Sequence, residues 1–149
     1  MSDYFISFIP MEPDYVPELE IAKQIENIII ADCVQISFDI SNIILFADAG
    51  RNLESISCPF CKADLNEWWG NAMESAYSKG GGFINLRIQT PCCIRLCSLN
   101  NLTYHFPQGF YKAKLTIEPI LQHKLNTGDI CQELKRISGV LWQAIHTRQ

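Results

Sequence analysis

Two pairs of cysteines constrain this chain more than any other feature of its sequence. The first pair is Cys58 and Cys61 in the motif Cys-Pro-Phe-Cys, and the second is Cys92-Cys93, which follows Pro91. A Cys-x-x-Cys turn points two thiolates at one place, and two such half-sites side by side make the four-ligand tetrahedral site that zinc prefers. The sequence therefore predicts a structural Zn²⁺ ion bound by Cys58, Cys61, Cys92 and Cys93.

The second pair sets a condition on the backbone. Adjacent residues of a strand point to opposite faces, so the chain must leave strand geometry if both Cys92 and Cys93 are to bind one ion. Pro91 favours such a break, because proline cannot continue a ladder of hydrogen bonds. If only one of the pair binds, Cys97 is the reserve ligand. Cys33 and Cys131 stand in apolar surroundings and are predicted to be buried thiols.

The first motif also has a redox interpretation. Cys-Pro-Phe-Cys is a dithiol motif of glutaredoxin-like proteins, in which the first thiol lies at the start of a helix and has a lowered pKa. Here Asp64 and Glu67 have the spacing of a helix cap, so the thiols are expected to precede the helix. Thiol chemistry also gives no role to the second pair. A thiol–disulfide oxidoreductase using Cys58 and Cys61 is therefore the alternative and not the first choice.

Histidine placement argues against a catalytic metal. A catalytic zinc keeps one position open and usually has histidine among its ligands, whereas four cysteines fill the shell. His105, His123 and His146 are scattered, and none has ligand spacing from a cysteine pair. No catalytic residue is predicted.

Composition is that of a globular protein of one domain. The chain has 149 residues, of which 48% are hydrophobic and 19% charged, with a net charge of −4 and seven cysteines. No apolar run approaches the length of a membrane span, and the start does not resemble a signal peptide. A cytoplasmic protein with reduced thiols is expected, with no membrane contact.

The pattern of apolar residues predicts an α+β fold. Its antiparallel sheet carries packed helices, and a zinc-ribbon-like knuckle with its own helix is inserted at residues 57–97 of the single domain 1–149. The strands are predicted at residues 4–9, 34–48 (two strands around the turn Asp-Ile-Ser-Asn), 83–90, 102–106 and 110–118, the last two around the turn Pro-Gln-Gly. The helices are predicted at residues 17–31, 65–78 and 130–149.

Residues 57–118 resemble a known set of proteins. The blocks "CPFCKADLNEWWGNAM", "FINLRIQTPCC" and "SLNNLTYHFPQGF" are similar, in order, to those of an uncharacterised bacterial family with a Cys-Pro-x-Cys and a Pro-Cys-Cys. The resemblance implies a zinc knuckle at the same four cysteines and no particular activity. Many members carry glycine after the Cys-Cys pair, where this chain has Ile94.

These features favour a protein that acts by binding. The first hypothesis is a non-enzymatic, zinc-stabilised protein-binding module, such as a toxin-neutralising immunity protein or an adaptor, whose acidic surface suits a basic nuclease-like partner. Trp68 and Trp69 are either an aromatic anchor for that partner or a cover over the knuckle. Nucleic acid is not the expected partner of an acidic chain. A nucleic-acid-binding zinc ribbon would use four basic residues expected near the knuckle: Arg87, Arg95, Lys112 and Lys114.

Overall fold

The protein has an α+β fold built on a four-stranded antiparallel sheet with the strand order β2-β7-β1-β8. The computed structural model describes residues 4–31, 33–120 and 125–148. The strands are β1 (Tyr4–Pro10), β2 (Cys33–Ala47), β3 (Ser55–Ser57), β4 (Arg87–Gln89), β5 (Leu96–Ser98), β6 (Thr103–His105), β7 (Gly109–Pro119) and β8 (Trp142–Arg148). The helices are α1 (Leu19–Glu26), α2 (Asn66–Ala76) and α3 (Thr127–Ser138).

The main core lies between the sheet and the helices α1 and α3. Ile6 and Phe8 of β1 pack there against Leu115 of β7, Ile25 of α1 and Leu134 of α3, all of them buried. β7 lies where a strand was predicted, and its burial alternates: the odd-numbered residues from Tyr111 to Ile117 are buried and the even-numbered ones are half-buried. One apolar face of the sheet is thus covered, as expected for an antiparallel sheet with packed helices.

The first helix is shorter than predicted. It ends at Glu26, with Asn27 as its C-cap, and the following isoleucines lie outside it. Ala22 and Ile25 are buried as expected, but Leu19 and Ile29 are exposed. Three consecutive β-branched residues, Ile28 to Ile30, lower helix propensity at this end of the segment.

The predicted turn in residues 39–42 is wrong, because β2 is one long strand. β2 pairs with β7 on both sides of residues 41–44, and its register shifts between Ile40 and Leu45, where the extra residues bulge out. Ser41 Oγ donates to the carbonyl oxygen of Ile43 at 2.7 Å and stabilises the bulge locally. Turn-forming residues therefore mark an irregularity within a strand.

The C-terminal segment is a helix followed by a strand, and not the single predicted helix. Helix α3 ends at Ser138, and Gly139 adopts φ 80° as a left-handed cap. Residues 142–148 then form β8, which pairs with β1 over its full length. Ile145 is buried in the sheet, and Leu141 is exposed. At the other end, the Asn126 side chain caps the helix by accepting from the Asp129 N–H.

Residues 48–108 form the part of the structure between β2 and β7. Strand β6 pairs with β3, so the predicted 102–106 strand exists but does not pair with β7. Only Arg87–Gln89 of the predicted 83–90 strand forms β4, which pairs with β5. A second core joins Ile56, Cys58, Leu65 and Leu99 of this part to Phe110 of β7.

Within the described ranges, no helix has the length and apolar character needed to cross a membrane.

Candidate metal centre

The first half of the site is a tight turn between β3 and α2, here called the first knuckle (residues 58–63). The backbone N–H of Cys58 donates to the carbonyl oxygen of Ala63 at 2.9 Å, and the N–H of Lys62 donates to that of Cys58 at 3.0 Å. Lys62 takes φ 65°, which closes the turn. Helix α2 begins only at Asn66. Both thiols therefore precede the helix, as predicted, but the N-cap residue is Leu65 and not the predicted Asp64, whose carboxylate accepts from the Asn66 N–H at 2.8 Å.

The second half is a turn between β4 and β5, the second knuckle (residues 90–95). The N–H of Thr90 donates to the carbonyl oxygen of Arg95 at 2.9 Å, and the N–H of Ile94 donates to that of Thr90 at 3.0 Å. Ile94 has φ 58°, in the left-handed region that favours glycine. The backbone thus leaves strand geometry around Cys92 and Cys93, as the four-ligand prediction required.

The two knuckles bring four sulfur atoms together. The Sγ atoms of Cys58, Cys61, Cys92 and Cys93, here called the sulfur cluster, all lie within 4.8 Å of one another. Cys61 and Cys92 are 3.3 Å apart, and Cys58 and Cys93 are 3.7 Å apart. A tetrahedron with zinc–sulfur bonds of about 2.3 Å has sulfur–sulfur edges of about 3.8 Å. The cluster therefore has the dimensions of a site that can hold one metal ion.

Neighbouring groups hold two of the sulfurs in place. The Phe60 N–H donates to Cys58 Sγ at 3.4 Å. Thr90 Oγ1 lies 3.3 Å from Cys93 Sγ and accepts from the Arg95 N–H at 2.9 Å. The sequence analysis missed Thr90. The signal was present, because Thr90-Pro91 stands in the second knuckle where Cys58-Pro59 stands in the first.

The thiols differ strongly in acidity. The pKa of Cys58 is lowered to about 6: burial acts to raise it, but hydrogen bonds from the Cys61 and Phe60 backbone and from neighbouring thiols prevail. Loss of solvent around its sulfur, together with the surrounding thiols, raises the pKa of Cys92 to about 12. Without a cation, the cluster thus favours a thiolate at Cys58 and opposes a second negative charge at Cys92.

The other cysteines lie outside the sulfur cluster. Cys97 is on β5 and half-buried; burial and the charges of Cys58 and Cys93 raise its pKa. Cys33 and Cys131 pack at the edge of the main core. Both are half-buried, whereas buried thiols were predicted. The structure thus brings together the four predicted ligands, without the reserve Cys97; binding of a metal stays a prediction.

The histidines do not contribute to the sulfur cluster among the described residues. His105 Nε2 lies 3.0 Å from Ser57 Oγ, and His146 Nδ1 lies 2.6 Å from the Tyr4 hydroxyl. His123 lies outside the described residues.

Both tryptophans of α2 cover the second core. Trp68 and Trp69 are half-buried against it, and Trp69 Nε1 donates to the Tyr104 hydroxyl at 3.1 Å. This contact favours the structural interpretation of the pair over an exposed anchor.

The predicted basic group is divided between two places. Arg95 belongs to the second knuckle, with its guanidinium 5.2 Å from the centre of the Phe60 ring, and Arg87 lies on β4. Lys112 and Lys114 are on β7 of the large sheet, where Lys112 pairs with Asp14 at 3.6 Å. Two of the four basic residues thus belong to β4 and the second knuckle, and the other two belong to the large sheet.

Comparisons with protein-family models, with curated proteins and with solved structures find no match to this chain. They give no support to the bacterial family that residues 57–118 resemble, so the candidate site stands on its own geometry.

Proposed function

We propose that Cys58, Cys61, Cys92 and Cys93 bind one structural Zn²⁺ ion. The observation that carries the proposal is the fit of the sulfur cluster to a zinc tetrahedron. Soft thiolate ligands select zinc over magnesium, calcium and manganese, and a complete set of four leaves no position for a catalytic water. When bound, the ion supplies positive charge that allows all four thiols to ionise.

Zinc would stabilise residues 55–105, a part of the chain with little regular secondary structure. Strands β3 to β6 have three residues each, too short to hold two knuckles in place without further support. The ion links a turn after β3 to a turn after β4 and so closes a long loop.

The proposed module acts by binding a protein partner through the outer surface of the knuckles. Phe60, Ile94 and Leu96 are exposed by 42%, 68% and 80% of their surface. The Arg95 guanidinium lies over the Phe60 ring and so joins the two knuckles at this surface, and Ile94 and Leu96 are the chain neighbours of Arg95. Exposed aromatic and aliphatic side chains beside an arginine are typical of protein interfaces.

An immunity protein or an adaptor in the cytoplasm fits this description. The cations near the exposed apolar group, Lys62 and Arg95, suit a partner that offers acidic side chains there. A basic nuclease-like partner would instead have to contact the acidic residues elsewhere on the chain.

Metal binding is tested by measuring the number of zinc ions per chain. Freshly purified, tag-free protein is expected to contain about one zinc per chain, and a chelator should expose thiols that were unreactive before. The Cys58→Ser variant should lose the zinc, whereas Cys33→Ser and Cys131→Ser, in the main core, should keep it. Full zinc content in Cys58→Ser would contradict the proposal.

Partner binding is tested with a surface variant. A double variant, Phe60→Ser with Leu96→Ser, should keep its zinc but lose a cellular partner that cross-linking with the wild-type protein identifies. The matched control is Leu19→Ser, an exposed apolar residue on α1. A partner that binds both variants equally well does not use the knuckles.

A thiol–disulfide oxidoreductase is the second candidate, because the pKa of Cys58 is lowered to about 6. A lowered thiol pKa is what such an enzyme needs. However, Cys58 is fully buried and lies before α2, away from the helix dipole. Protein without metal whose Cys58 and Cys61 cycle readily between dithiol and disulfide would establish this candidate instead.

Nucleic-acid binding has weaker support, because only Arg87 and Arg95 of the four expected residues lie on β4 and the second knuckle. Binding to RNA or DNA that falls steeply with salt would be its sign.

A further inference from the structure

The two knuckles have the same backbone hydrogen bonds at the same spacing. In each, the first residue donates its N–H to the sixth and accepts at its carbonyl from the N–H of the fifth, which has positive φ. The bonds therefore match residues 58–63 to residues 90–95 one by one. The matched pairs are Cys58 with Thr90, Pro59 with Pro91, Phe60 with Cys92, Cys61 with Cys93, and Lys62 with Ile94.

This match places three of the ligands at ligand positions that the two knuckles share and leaves Cys92 outside them. Cys61 and Cys93 occupy equivalent positions, and Cys58 occupies the other ligand position of the first knuckle. The equivalent place in the second knuckle holds Thr90, which is 1% exposed and has its Oγ1 3.3 Å from Cys93 Sγ. Thr90 thus stands where a fourth symmetric ligand would stand.

Cys92 reaches the sulfur cluster from a position that is not a ligand position in the first knuckle. Its counterpart, Phe60, is a partly exposed side chain on the surface. Cys92 and Cys61 are exposed, whereas Cys58 is buried and Cys93 is half-buried. Unlike Cys61, Cys92 lies outside the matched ligand positions, and it is the direct chain neighbour of another ligand, with 4.0 Å between the two sulfurs. The two backbone hydrogen bonds of this knuckle are made by Thr90, Ile94 and Arg95 and not by Cys92, so rotation of the Cys92 side chain alone can move its sulfur away.

We propose that Cys58, Cys61 and Cys93 retain the metal, and that Cys92 is an exchangeable ligand whose position accepts a small external thiol. The inference rests on the proposed metal site. In the exchange, the sulfur of the incoming thiol binds the metal as a thiolate, and its proton passes to the released Cys92 sulfur. No electrons are transferred. Because Cys92 is tethered beside the metal at high effective concentration, an external thiol competes well only when Cys92 is removed or modified.

Cobalt substitution tests this, because the intensity of Co²⁺ absorption and the sulfur-to-cobalt charge-transfer band report the number of thiolate ligands. The Cys92→Ser variant should still bind one Co²⁺, roughly tenfold more weakly than wild type, with a three-thiolate spectrum. Added 2-mercaptoethanol should restore the four-thiolate spectrum. The matched control, Cys93→Ser, should weaken Co²⁺ binding roughly thousandfold, which corresponds to about a quarter of the metal-binding free energy of a four-ligand structural site.

A second variant moves the ligand. In Thr90→Cys combined with Cys92→Ser, the thiol stands at the symmetric position, and a four-thiolate spectrum should appear without added thiol. The inference is overturned if Cys92→Ser loses Co²⁺ as completely as Cys93→Ser, or if its three-thiolate spectrum ignores 2-mercaptoethanol. If wild-type protein binds neither Zn²⁺ nor Co²⁺, the proposed metal site itself fails. That result differs from the two Cys92→Ser outcomes, in which the wild-type protein still binds the metal.

Discussion

At the scale of the residue, Ile94 takes a conformation that β-branched residues rarely adopt. Its φ of 58° lies in the left-handed region, where a Cβ atom crowds the backbone. The chain accepts this strain because the turn must place Cys92 and Cys93 beside the first knuckle. Positive φ at this point is therefore a requirement of the site and not a preference of the residue.

Replacing Ile94 by glycine should stabilise the zinc-loaded protein. Glycine adopts the left-handed conformation freely, and Ile94 is 68% exposed, so little apolar burial is lost. The gain, reduced by the greater freedom of glycine in the unfolded chain, is up to about 1 kcal/mol and appears as a higher Tm. The control is Leu96→Gly, at a still more exposed residue with extended backbone on β5, which should gain nothing. A lower Tm in Ile94→Gly would show that the side chain has a packing role.

A second residue links stability to pH. Burial lowers the pKa of His146 below its ordinary value of 6.5, and its Nδ1 lies 2.6 Å from the Tyr4 hydroxyl. Between the folded pKa and 6.5, the unfolded chain binds a proton that the folded chain does not, so acidification favours unfolding. Below the folded pKa both states are protonated, and the loss levels off.

The His146→Gln variant should therefore lose less stability than wild type when the pH falls from neutral through this window. Denaturant unfolding at a series of pH values measures the difference. His105→Gln, at an exposed position, is the control. Parallel pH profiles for wild type and His146→Gln would contradict the assignment.

At the scale of the element, the local sequence pattern predicts that a helix or strand is present better than it predicts where that helix or strand ends. β7 follows its alternation from Tyr111 to Ile117 because its residues face one core along the whole strand. The final segment was predicted as one helix because four of its apolar residues have helical spacing: Leu134, Ile137, Leu141 and Ile145. Instead, Gly139 ends the helix, and β1 is a strand partner for residues 142–148. Helical spacing cannot reveal a partner that lies more than 100 residues away in the chain.

Two glycines should respond oppositely to the same substitution. Gly139 has φ 80°, and a Cβ there would meet no atom within 4 Å, so Gly139→Ala costs only backbone strain, about 1 kcal/mol. Gly70 lies inside α2 and also has open space around it. Gly70→Ala should stabilise the protein by about 0.5–1 kcal/mol, because alanine favours the helix. Chemical denaturation compares both variants with wild type; a shift of the same sign in both would refute this account of the α3 cap.

At the scale of the whole molecule, the candidate site was more predictable than the fold around it. Cys-x-x-Cys and Pro-Cys-Cys are short motifs whose chemistry depends on few neighbours, and the four sulfur atoms do lie together. Thr90 belongs to no such motif, and its only signal in the sequence is the proline that follows it, as Pro59 follows Cys58. The pairing of β6 with β3 likewise depends on the second core and not on the turn that follows β6.

Removing the metal should loosen one part of the molecule before the other. Cys58 belongs to the second core, whereas the main core of β1, β7, α1 and α3 contains none of the sulfur cluster. With zinc chelated, hydrogen exchange should accelerate over residues 55–105 and stay slow in β1 and the second half of β7. Mass spectrometry of the exchanged peptides measures this, with Cys131→Ser as a control that should keep the wild-type response. Uniform acceleration would mean that both cores unfold as one.

The point at which residues 48–108 leave and rejoin the large sheet has an evolutionary meaning. Ala47 and Gly109 are cross-strand partners at the ends of β2 and β7, so the chain departs and returns at neighbouring positions. A tight hairpin turn would join the same two strands without changing their pairing. Evolution can thus add, remove or replace the knuckles as one unit. An ancestor of this protein can have the large sheet without the four cysteines of the knuckles.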